Sequence, residues 1–170
     1  PTETLVALAR LRMQNSFDFD GANRALERAV FLAPGLAEAH VMIGSIALYG
    51  QDFEAANASV ARARAIDPTS LEAATLAAAI AFVRSDTPPF PRATAVAFAM
   101  LPSHGASYVA LADFAEWEHR YPDIVTFARE AIAIDRNDAS AWALLGLELL
   151  HEGDEREALA ALREAWSRDH

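Results

Sequence analysis

Two Glu-x-x-His patterns, Glu116…His119 and Glu148…His151, are the nearest this chain comes to a metal-binding or acid–base motif. A carboxylate and an imidazole three positions apart share a helix face. Paired copies facing one another in a bundle, with two further Glu, hold a di-iron centre. No phosphate-binding loop, G-x-G-x-x-G, nucleophile elbow or H-E-x-x-H accompanies them. The absence of Cys removes disulfides and thiolate chemistry.

Whether those patterns meet depends on the elements that carry them. Ala139–His170 reads as two helices around Glu152-Gly153-Asp154. Trp142, Leu145, Gly146 and Leu149 recur at the spacing of one helix face, and Ala158, Leu162, Ala165 and Trp166 do so on the second helix. Asp154 is placed to cap that second helix. Gly146, Ala158 and Ala165 are small where the two helices must cross closely. Steps of 34 residues back from Ala139 give unit starts at Gly105, Leu71, Ala37 and Glu3. A small residue recurs late in each second helix: Ala29, Ala63, Ala97, Ala131 and Ala165. Pro34, Pro68 and Pro102 stand where three second helices must stop.

This pattern resembles the tetratricopeptide repeat, a helix–turn–helix unit that stacks with a period of 34. The resemblance covers the whole chain and implies an all-α, right-handed solenoid of five repeats, 3–36, 37–70, 71–104, 105–138 and 139–170, in a single domain. The two Glu-x-x-His copies are 32 residues apart, so they miss the period and fall on different helix faces, with His119 in a turn. No catalytic residue, metal or cofactor is expected. Two departures from the pattern stand out. Arg10 occupies a position that is small in Gly44, Ala78, Ala112 and Gly146, which predicts a loosely packed or solvent-facing first unit. Ser85-Asp86-Thr87-Pro88-Pro89-Phe90-Pro91 delays the second helix of the third repeat, which is expected from near Pro91 to about Met100.

In this family the first helices line a concave face that holds a peptide. Carried over position by position, the resemblance implies a groove of Leu11 and Asn15 in the first repeat, and Glu38, Val41, Ser45, Leu48 and Tyr49 in the second. The third contributes Glu72, Thr75 and Phe82. Val109, Asp113, Glu116 and Trp117 come from the fourth, and Leu147 and His151 from the fifth. Leu48, Phe82 and Leu150 could equally pack against neighbouring helices. His40 occupies the position of Tyr108 and Trp142 and reads as a packing residue. The Lys, Arg and Asn cluster with which some members grip a terminal carboxylate is absent. The strip is apolar and dotted with aromatics, and its acids Glu38, Glu72, Asp113 and Glu116 have no groove cation beside them.

The resemblance therefore implies a non-enzymatic module that binds a protein or peptide segment, apolar or amphipathic and basic at its edges. The alternative is a scaffold or regulatory arm of a larger, enzymatic protein. A net charge of −10 argues against a nucleic-acid partner. No apolar run long enough to span a membrane is present, and the compartment stays open between cytoplasm and periplasm. Trp166 stands where Val30, Phe98 and Ile132 would each be covered by a following repeat, which predicts either self-association through that end or a further helix missing from it.

Overall fold

The computed structural model describes residues 2–84 and 105–169 of the chain. Those residues form nine helices and no strand. They are α1 Thr2–Ser16, α2 Phe19–Leu32, α3 Ala37–Tyr49, α4 Phe53–Ile66, α5 Leu71–Arg84, α6 Gly105–Trp117, α7 Tyr121–Ile134, α8 Ala139–His151 and α9 Glu155–Arg168. The chain divides into two compact units, Pro1–Ile80 and Ala81–His170. The second helix expected for the third repeat, with Phe90, Ala97 and Pro102, lies outside the described residues.

The turns that lead into α2, α4 and α9 are built the same way. Asp18, Asp52 and Asp154 cap α2, α4 and α9 by accepting from the N–H groups of Gly21, Ala55 and Glu157. These bonds satisfy N–H groups that no intrahelical carbonyl can reach. One residue earlier the backbone turns left-handed, at Phe17, Gln51 and Gly153, and His119 does the same before Arg120. Only Gly153 takes that conformation without steric cost.

The ends of the second helices repeat as well. The N–H groups of Ala33, Asp67 and Asp135 return to the carbonyls of Ala29, Ala63 and Ala131. Leu36, Ser70 and Asp138 then donate to Ala33, Asp67 and Asp135. Arg136-Asn137 thus makes the turn for which other repeats use Pro. Here the side chain of Asp135 accepts from the Asn137 N–H, as Asp67 does from Thr69.

Small residues set the helix crossings. Ala29, Ala63, Ala131 and Ala165 are all buried. A Cβ built on Gly44 would come within 2.6 Å of Leu76 Cδ2 and 2.9 Å of Ser59 Cβ. On Gly146 it would meet Leu162 Cγ at 2.6 Å and the Ala158 carbonyl oxygen at 3.1 Å. These contacts are closer than packed side chains allow, so the residue type at the crossing dictates how near the helices lie. In the first unit Val6, Ala9, Ala22, Leu26, Ala29 and Ala39 form one apolar cluster. His40, next in sequence to Ala39, is buried, with Nε2 3.3 Å from the Pro34 carbonyl oxygen. Arg10 is exposed, in line with the solvent-facing alternative expected there.

Candidate functional site

In the first unit the expected groove residues come from α1, α3 and α5. Leu11, Asn15, Glu38 and Glu72 are exposed, while Val41, Ser45 and Tyr49 are half-buried. Leu48 and Thr75 are in the core, so packing claims both, and the Thr75 hydroxyl donates to the Leu71 carbonyl. Tyr49 stacks on Phe19, with ring centroids 5.2 Å apart and planes 28° apart. Glu72 accepts from the Ser70 hydroxyl. The expectation of acids without a nearby cation fails at Glu38. Arg10, in the place of a small residue, extends from α1 and donates to the Glu38 carboxylate. A long, solvent-facing side chain on the first helix can reach one repeat further, which residue-by-residue matching does not show.

In the second unit Phe82 is also core rather than surface. Its ring meets Phe127 edge-on at 5.2 Å, and the Arg120 guanidinium covers it at 3.6 Å. What remains open is carried by α6 and α8. Asp113, Glu116 and Trp117 share a face of α6 at i, i+3 and i+4. Trp117 is 42 % exposed, and Leu147 on α8 is 51 % exposed. Val109 is half-buried, and Leu150 and His151 are exposed. Asp113 is solvent-accessible yet closely surrounded by protein atoms. Desolvation first, and repulsion from Glu116 second, push its carboxyl up to about 6.

Glu148 is a functional candidate that the family's groove positions do not include. Its side chain is only 6 % exposed. It occupies the register position of Arg12, Ile46, Ile80 and Phe114, and an apolar residue in three of those four was the available signal. Burial raises the pKa of its carboxyl, His151 counters the shift, and Glu116 and Glu152 add to it. One oxygen, Oε1, lies 3.5 Å from His151 Nδ1. The other, Oε2, is buried with no hydrogen-bond partner among the described residues.

Among the described residues no three His, Asp or Glu side chains are placed to hold one ion. His119 sits in the left-handed turn at φ 57°, with Nδ1 3.1 Å from the Tyr121 hydroxyl, so it does not share a helix face with Glu116. No helix among the described residues is long and apolar enough to cross a membrane.

No family model matches the chain, and no curated protein matches it. Solved structures do. A thermophilic tetratricopeptide-repeat protein of Thermus thermophilus superposes with TM-score 0.61 at 15 % identity, over 99 % of this chain and 91 % of that one. PilF of Pseudomonas aeruginosa matches with TM-score 0.54 at 13 % identity, over 98 % of this chain and 76 % of its own. PilW, a type IV pilus biogenesis factor, matches with TM-score 0.53 at 18 % identity, over 98 % and 77 %. At these identities the likeness concerns the fold, and that fold is an all-α helical repeat of the tetratricopeptide type.

Proposed function

We propose that this chain, an all-α array of the tetratricopeptide type, is a non-enzymatic module that binds a protein or peptide segment along its first-helix faces. Helical repeats of this type are protein-interaction folds. The observation that carries the reading is the α6–α8 surface of the second unit. There Trp117 and Leu147 offer open apolar area beside the acids Asp113 and Glu116. Trp is among the side chains that most often anchor an interface. The acids would repel an acidic tail and favour a segment that places Arg or Lys beside apolar residues.

The test is capture of partners from lysate by the isolated domain, followed by affinity measurement on Trp117→Ala and Arg129→Ala. Arg129 lies on the second-helix side, 3.7 Å from Glu157. Loss in the Trp117 variant alone supports the first-helix faces. Loss in the Arg129 variant alone moves the site to the second helices. Self-association belongs to the same proposal: Trp166 is 72 % exposed on α9. Sedimentation equilibrium of the wild type and Trp166→Ala decides it, and a monomer at high concentration discards it.

A further inference from the structure

We infer that Glu148, with Asp113 and Glu116, forms an anionic pocket that receives one arginine side chain of the protein partner. This rests on the reading of the first-helix faces as a binding surface and adds what the surface selects.

Glu148 is a carboxylate at a position that is apolar in three of the other four repeats. The residues in register with Glu148 in the four preceding repeats are Arg12, Ile46, Ile80 and Phe114, and the Arg12 guanidinium is satisfied by the Gly21 carbonyl. A carboxylate there cannot contribute what an aliphatic or aromatic side chain does. It is also costly: a buried polar atom left without a partner loses its hydration and regains nothing. Glu148 is in that condition, since Oε2 is buried and unpaired among the described residues and Oε1 has the 3.5 Å approach of His151. A charge that the fold does not satisfy is one that an incoming cation can satisfy.

The surroundings supply the rest. Asp113 and Glu116 stand one helical turn apart on α6, which packs beside α8 and its Glu148, and Glu116 adds repulsion at both of the other carboxyls. Three acids from two helices therefore share one field.

The form of the cation follows from the spacing. Glu116 acts on each of the other two carboxyls, yet no three of the described acidic and His side chains are placed to hold a metal ion. A guanidinium is wider, presents five N–H donors in a plane and is more weakly hydrated than an ammonium, so it bridges separated carboxylates and tolerates burial. Trp117, one helical turn from Asp113 and partly exposed, offers an aromatic surface beside it. The His151 side chain is 70 % exposed, so its rotation away from Glu148 disturbs little packing.

The experiment is an NMR titration of the whole chain with N-acetyl-arginine methylamide, read at the side-chain carboxyl carbons. The citrulline analogue, which has the same shape and no charge, is the control. Saturable shifts at Glu148 and Asp113 with the arginine compound alone are expected. Affinity should fall about tenfold or more in Glu148→Gln, the scale of a lost hydrogen bond to a charged group. Asp113→Asn provides a second variant if Glu148→Gln unfolds, and it should weaken the same shifts. Equal shifts with citrulline, undiminished shifts in both variants, or no shift with arginine would each overturn the pocket. A captured partner that needs Trp117 but binds Glu148→Gln unchanged would overturn the pocket and leave the binding surface standing.

Discussion

The Arg120 guanidinium lies 3.6 Å above the Phe82 ring, and its Nη1 donates to the carbonyl of that same residue at 3.0 Å. Its Nε pairs with Asp123 at 2.9 Å, and both partners of that ion pair are largely buried. Arg120 stands in the register position of the capping residues Asp18, Asp52 and Asp154. The fourth repeat has thus exchanged a local cap for a cation that joins α7 to the end of α5. Breaking a buried pair exposes the surviving partner to an unfavourable environment, at a cost of several kcal/mol. Arg120→Ala should destabilise the chain by roughly 2–4 kcal/mol in urea unfolding. Arg120→Lys should recover only part of that, because an ammonium cannot stack and fork at once. A loss below about 0.5 kcal/mol, the scale of an exposed pair, would make Arg120 a surface residue in effect.

The crossing glycines make a second test. Gly44→Ala must move Ser59 Cβ, and Gly146→Ala must move Leu162 Cγ, neither of which is the loose end of a side chain. Each change should cost about 1–3 kcal/mol through overpacking. Gly35→Ala, whose added carbon meets nothing within 4 Å, is the control. Thermal unfolding of the three variants measures the difference, and equal midpoints would contradict the close approach.

The left-handed turns should respond in opposite directions. Gln51 holds a strained positive φ of 58° that glycine adopts freely. Gln51→Gly should therefore stabilise by a few tenths to about 1 kcal/mol, and Gly153→Ala should destabilise by about 1 kcal/mol. Denaturant midpoints of the pair decide this. Gly153 has open space around it, so its penalty would be purely a backbone one.

Stability should carry a signature of Asp113. Its folded pKa of about 6 lies above the ordinary 3.8, so between those values the folded state binds more protons than the unfolded one. Stability then falls as pH rises through that window. Glu148, raised in the same direction with His151, Glu116 and Glu152 around it, contributes with the same sign. Asp113→Asn should raise the unfolding midpoint at about pH 8 and change it little at about pH 4. An equal effect at both would show that the carboxyl is not perturbed.

Tyr49 and Trp117 should behave differently when truncated. Trp117→Ala should weaken a bound partner by roughly 1–3 kcal/mol and leave helical content unchanged. Tyr49→Ala should also lower stability, because its ring is stacked on Phe19. Aromatic pairs are worth about 0.5–1.5 kcal/mol beyond the area they bury. Circular-dichroism melts beside binding isotherms separate the two effects.

The repeat architecture was legible in the sequence because its causes are local and recur every 34 residues. An Asp before a helix, a small residue at a crossing and a helix-ending turn each act within a few positions of themselves. Asp18 and Asp154 cap as their positions imply, and Ala29, Ala63, Ala131 and Ala165 are buried as the period requires. The surface was only partly legible. Position within a repeat does not say whether Leu48, Thr75 and Phe82 face solvent or core, because that depends on what the neighbouring helices bring against them. The long side chains were least legible of all. Arg10 reaches Glu38, and Arg120 turns inward onto Phe82, since both span distances that no local pattern encodes. Glu148 combines the two cases: its register position marks it as buried, but only the packed structure leaves one of its oxygens without a partner among the described residues.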